Sequence, residues 1–162
     1  MKLIRFGSTG NESPGIYIDK DTIFDLSNYG KDYDEDFFKN DGIKNLQIWF
    51  NENKKILKKI DSETRIGPPI CRPSKIICIG LNFLDHAKES GLKVPDEPII
   101  FFKSTTSICG PYDNFIIPKN SKKPDWEVEL ALVIDKKANN ISKKNANDYI
   151  AGYLLHNDYS DR

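Results

Sequence analysis

DWEVELALVI, residues 125–134, is the stretch on which the reading of this chain turns. In extended backbone successive side chains point to opposite faces, so Glu127 and Glu129 share one face while Val128 and Leu130 share the other. The segment reads as a buried strand, and like charges on neighbouring same-face positions of such a strand repel unless a cation lies between them. A solvated strand end is the plain alternative. A second strand follows in AGYLLHND, 151–158, and it ends in a further acid, Asp158. Two glutamates and an aspartate make an all-oxygen, hard donor set, suited to Mg²⁺, Mn²⁺ or Ca²⁺ and poorly suited to zinc. Taken alone, Asp158 reads more simply as a turn or cap residue after the strand.

Working outward from this pair, KIICIG (75–80) reads as another buried strand, and PIIFF (98–102) and FIIP (115–118) are strand-like. SKKNANDYI (142–150) predicts a helix capped by Ser142. Near the start of the chain KLIRF, GIYI and TIFDL are short β-prone runs separated by Gly, Asn, Ser and Pro, the pattern of a small meander. In KNLQIWFNENKKILKKI (44–60) the apolar Leu46, Trp49, Phe50, Ile56, Leu57 and Ile60 recur at three- and four-residue steps, which predicts an amphipathic helix packed on that meander. RIGPPICRPSK (65–75) concentrates residues that break helix and ladder alike, and it predicts a domain boundary between about residues 66 and 74.

GLNFLDHAKES (80–90) carries a different kind of group. It reads as a short helix stopped by Gly91, on which His86 and Glu89 lie three residues apart and therefore on one face. A carboxylate so placed can orient an imidazole and keep it basic, as a general base acting on water requires. The simpler reading is an exposed histidine on a helix surface. His156 reads as a structural or supporting residue, and Lys103 and Arg162 as surface cations that could also bind a substrate carboxylate.

The bulk numbers exclude several classes. With 162 residues, 24 Lys plus Arg against 24 Asp plus Glu, and both signs interspersed, the chain has no net field to gather nucleic acid or anionic lipid. No apolar run approaches the length of a bilayer span, and the opening MKLIRFGSTG is too short and polar for a signal peptide. Cys71, Cys78 and Cys109 are odd in number and widely spaced, the usage of reduced thiols in a cytoplasmic protein.

KIICIGLNFLDHAKESG, PIIFFKSTTSICGPYDNFIIP, DWEVELALVI and AGYLLHNDYSDR, in this order and at this spacing, resemble the fumarylacetoacetate hydrolase family over residues 75–162. Residues 1–70 resemble the small cap domain of its two-domain bacterial members. The resemblance implies an α+β, mainly β fold, in which residues 71–162 supply the N-terminal part of a mixed β-sandwich roll and 1–70 a small α/β cap. It makes Glu127, Glu129 and Asp158 ligands of Mg²⁺ or Mn²⁺, with Ca²⁺ as a substitute. It makes His86 and Glu89 a water-activating dyad and gives Arg162 a substrate-facing role.

The implied reaction is hydrolysis of a carbon–carbon bond in a 2,4-diketo acid, an acylpyruvate or a diketo-deoxy sugar acid such as 2,4-diketo-3-deoxy-L-fuconate, through a metal-stabilised pyruvate enolate. Ureidoglycolate lyase, isomerase and decarboxylase activities occur among similar proteins, and an inactive fragment or interaction module is the reading from another class. A homodimer is implied by the family alone. Phe83 stands where relatives often carry tyrosine, and Asp161 where a small residue or glutamate is common. The family pattern continues beyond Arg162 with further strands, a lysine near the metal and a Thr-Gly loop, so the chain is expected to be a fragment of such a roll or to be completed by another chain.

Overall fold

The computed structural model describes residues 1–19, 22–89 and 91–162. Along the chain run β1 (Lys2–Phe6), β2 (Ser13–Asp19), β3 (Thr22–Asp25), α1 (Glu35–Lys39), α2 (Gly42–Asn53), β4 (Ile66–Gly67), β5 (Ile76–Gly80), α3 (Leu84–Glu89), β6 (Ile99–Lys103), β7 (Pro124–Asp125), β8 (Val128–Ile134), β9 (Ile150–Asn157) and β10 (Ser160–Asp161). The class is α+β and mainly β. Two compact units account for it: Met1–Cys71 together with Gly110–Arg162, and Arg72–Cys109.

In the first unit, the three N-terminal runs form an antiparallel sheet in the order β3-β2-β1-β4, with Leu3 opposite Ile16 and Ile4 opposite Gly15. Its apolar face meets α1 and α2 around a core of Ile16, Leu26, Tyr33, Phe37, Phe38, Leu46 and Phe50. Asp34 begins α1 by accepting a hydrogen bond from the Phe37 amide at 2.8 Å, which satisfies one of the otherwise unpaired first-turn donors. Leu46 and Phe50, one turn apart on α2, point the same way and supply the core face. Tyr33 is fully buried, and its hydroxyl donates to the Gly15 carbonyl at 2.8 Å. Burial raises the Tyr33 pKa well above the phenol range.

The helical periodicity of 44–60 outlasts the helix. After Asn53 the chain tightens into a 3₁₀ turn and then extends. Asp25 donates its amide to Lys58 and Ile60 donates to Ile23, so residues 57–60 pair with β3. The free edge of the sheet offers these residues backbone partners that a last helical turn cannot match.

β8 and β9 form an antiparallel ribbon with Val128 opposite Asn157, Glu129 opposite His156 and Leu132 opposite Tyr153. Val133 and Ala151 pack against the core cluster of the same unit. The expectation of a strand buried throughout is corrected here. Val128, Leu130, Leu132 and Ile134 form an outer face, with Leu130 64% exposed and Leu155 beside it 79% exposed. The less exposed face is the one that carries Glu127 and Glu129. Two other expectations change: residues 115–118 form no strand, and Lys143–Tyr149 is a 3₁₀ helix whose Ser142 makes no side-chain cap bond.

A network of ions ties the sheet to the segment that begins at Gly110. Arg65 donates Nε and Nη2 to the two oxygens of Asp113 at 2.7 and 2.6 Å, and Nη1 to Glu12 and to the Gly7 carbonyl at 2.9 Å each. Arg5 adds a bidentate pair to Asp32 at 2.8 Å and approaches Glu12 at 3.5 Å. Gly110 fits beneath this network because it has no side chain, since a Cβ there would lie 2.3 Å from the Ile66 carbonyl oxygen.

The second unit contains β5 and β6, paired antiparallel with Cys78 opposite Phe101, and α3. β5 is half-exposed instead of buried, with Ile77 and Ile79 on its open face.

Candidate active site

The acidic residues singled out from the sequence gather by backbone pairing at one end of the β8–β9 ribbon. Glu127 immediately precedes β8 and Glu129 is its second residue, while Asp158 follows β9 directly. The Asp158 amide donates to the Glu127 carbonyl at 2.8 Å, and the Asn157 side chain accepts from the Glu127 amide at 3.0 Å. Chain reversal through residues 135–149 therefore returns the third acid to the first two. Asp158 is buried, at 7% exposure, whereas Glu127 and Glu129 are half-buried.

The end of the ribbon is closed by a short second pairing of β7 with β10, Ser160 opposite Asp125 and Asp161 opposite Pro124. Arg162 donates Nε to Asp125 at 2.7 Å and Nη2 to Oε1 of Glu127. The Arg162 hydrogen bond holds the Asp125 carboxyl below the usual carboxylate range, and Asp125 in turn raises the guanidinium. Asp161 accepts from the Lys123 amide at 3.0 Å.

Three carboxylates on adjoining backbone match a hard divalent cation in donor type. Among the described residues, no three His, Cys, Asp or Glu side chains are drawn together as a metal-holding group. Glu127 is instead oriented by Arg162. His86 and Glu89 lie on α3 in the other unit, His86 half-buried and Glu89 exposed, and no hydrogen bond joins them among the described residues. Ala87 between them is buried and anchors the helix, while Gly91 closes it at a φ of 64° with its amide on the Lys88 carbonyl. Ser90 of the expected helix lies outside the described residues.

Sequence reasoning missed two residues here. Asp125 and Asn157 brace the Glu127 end of the site by their side chains. The signal for Asp125 was its place two residues before Glu127 in the same quoted run. Asn157 carried no signal in the sequence, because its partner lies 30 residues away.

Comparison with known proteins identifies the family and the fold. Residues 75–162 match the family model for the fumarylacetoacetate (FAA) hydrolase C-terminal region. A curated relative from Burkholderia orbicola (strain MC0-3), named “Putative hydrolase”, is 44% identical over all 162 residues, which cover 56% of its length. The chain thus spans about half the length of the curated relatives it matches. A structure described as a probable 2-hydroxyhepta-2,4-diene-1,7-dioate isomerase from Mycobacterium abscessus superposes with a TM-score of 0.71 at 31% identity, over 100% of this chain and 53% of that one. The maleylpyruvate hydrolase of Sphingobium sp. SYK-6, solved with manganese(II) and pyruvate, gives 0.81 at 22% identity over 100% and 60%, and shares the fold.

Proposed function

The chain belongs to the fumarylacetoacetate hydrolase family, and we propose that it supplies the acidic site of a divalent-metal-dependent hydrolase that cleaves a carbon–carbon bond in a 2,4-diketo acid. One observation carries the reading: Glu127, Glu129 and Asp158 are backbone neighbours at the end of the β8–β9 ribbon, the first and last joined by a 2.8 Å hydrogen bond. Like charges so placed on a half-buried face favour a shared cation. In this reading the three carboxylates hold Mg²⁺ or Mn²⁺, with Ca²⁺ as a substitute. When bound, such an ion polarises the 1-carboxylate and 2-oxo end of the substrate and offsets negative charge that develops there.

The protein's own groups do the rest. An imidazole nitrogen of His86 takes a proton from water, and Glu89, one turn further along α3, orients the ring. Arg162, anchored through Nε on Asp125 and Nη2 on Glu127, is the cation that would meet a substrate carboxylate. Residues 71–162 form the start of the catalytic roll and 1–70 a cap. The same reading makes the working protein a cytoplasmic homodimer acting on a small keto acid, with neither nucleic acid nor membrane as partner. The described helices are all too short or too polar to cross a membrane.

Calorimetric titration of Mn²⁺ and Mg²⁺ into the protein and into Glu129→Gln, followed by incubation with acylpyruvates, tests this proposal. Saturable binding that the substitution abolishes is expected, with pyruvate as product. Equal heats for both proteins overturn it. The 31% identity to the Mycobacterium abscessus protein favours a second reading, isomerisation of a hydroxydienedioate. Products distinguish the two, because isomerisation conserves the carbon skeleton.

A further inference from the structure

We infer that Asp125 is a positioning residue for the carboxylate of Glu127 and acts through Arg162. This rests on the reading of Glu127, Glu129 and Asp158 as cation ligands.

The β7–β10 pairing is only two residues long on each side, too little to hold its own register. Three further ties hold it. Arg162 donates its amide to the Lys123 carbonyl at 3.1 Å, Asp161 accepts from the Lys123 amide at 3.0 Å, and Arg162 Nε meets Asp125 Oδ2 at 2.7 Å. Asp125 is itself fixed, because its other oxygen accepts from the Trp126 amide at 2.9 Å. The guanidinium is a rigid plane, so anchoring its Nε edge on Asp125 sets where its Nη2 edge stands. That edge meets Oε1 of Glu127. The contact engages one carboxylate oxygen of Glu127 and so restrains its side chain. Glu127, with its side chain 24% exposed, is the better shielded end of the strut, and Asp125 at 40% is the outer end.

Arg162 could instead be a counter-ion to the acidic cluster, and charge alone separates the two roles. A cation one hydrogen bond from a ligand carboxylate repels a dication, so by Coulomb's law its removal tightens metal binding. A strut predicts the opposite sign, because releasing Glu127 lets an outer-shell orientation be lost, and such losses weaken metal affinity by about 10–100-fold.

The test is Mn²⁺ titration of the full chain by calorimetry, with electron paramagnetic resonance of the bound ion. The proteins compared are wild type, Arg162→Gln, Arg162→Lys, Asp125→Asn and the Asp125→Asn/Arg162→Gln pair, and thermal melts without metal establish that each is folded. Each single variant is expected to weaken Mn²⁺ binding by about 10–100-fold and to broaden its resonance. Arg162→Lys is expected to fail with the others, since it keeps the charge but loses the fork. The double variant is expected to be no weaker than Arg162→Gln, because both changes break one strut. Binding by Arg162→Gln that equals or exceeds wild type overturns the inference, as does wild-type affinity in Arg162→Lys or additive losses in the double variant. Absence of Mn²⁺ binding by wild type removes the cation reading and the inference with it, an outcome distinct from variants that bind as well as wild type.

Discussion

Replacing Arg65 by Gln removes the hub of the ion network that joins the N-terminal sheet to the segment starting at Gly110. Four hydrogen bonds disappear, two to Asp113, one to Glu12 and one to the Gly7 carbonyl. Glu12, with its side chain 6% exposed, keeps Arg5 at 3.5 Å as its ionic partner among the described residues. Breaking a fully buried pair costs about 3–5 kcal/mol, whereas exposed pairs contribute about 0–1 kcal/mol. The Arg65 and Asp113 side chains are 25% and 23% exposed and fall between these limits. A loss of about 2 kcal/mol is therefore expected, a fall of roughly 4–8 °C in Tm for a chain of this length.

The pH dependence adds a second signature. The hydrogen bonds from Arg65 pull the Asp113 carboxyl below its ordinary range. For Glu12, burial pushes its pKa up, but Arg65 and backbone amides outweigh burial and the net shift is downward. A carboxyl whose folded-state pKa is depressed adds stability above its unfolded pKa and loses it as pH falls through the folded value. Wild type should thus lose stability below about pH 5, and Arg65→Gln should lose less over the same range. Urea denaturation followed by circular dichroism at pH 7 and at about pH 3–4 measures both effects. A variant within about 0.5 kcal/mol of wild type at pH 7, or with an unchanged acid slope, refutes the argument.

Other outcomes follow from the same structure. Tyr33→Phe leaves the Gly15 carbonyl without its buried donor and should cost about 1–2 kcal/mol in the same denaturation experiment, with little change in the near-neutral pH range. Leu130→Thr with Leu155→Thr, both on the open face of the ribbon, should reduce binding of a hydrophobic dye and light scattering while Tm changes little. A large fall in Tm there would show that this face is covered in the folded protein.

Much of this was legible in the linear sequence, and for an identifiable reason. Strand β8, strand β9 and the sharing of one face by Glu127 and Glu129 depend on a period of two, which is local. The core contributions of Leu46 and Phe50 depend on a period near 3.6, equally local. The family resemblance over 75–162 rests on short motifs in order, and the family model covers the same residues.

What the tertiary structure decided concerns groups whose partners lie far off in the chain. The periodic run 44–60 could not announce that its tail would pair with β3, since the unpaired edge that captures it is created by folding. Nor could alternation tell which face of the β8–β9 ribbon packs inward. The apolar residues face out and the acids inward because Val133 and Ala151, not Leu130 and Leu132, reach the core of the first unit. The bracing of Glu127 by Asn157 and, through Arg162, by Asp125 exists only once two segments more than 25 residues apart have met. Periodicity encodes which residues share a surface, and only packing determines what that surface touches.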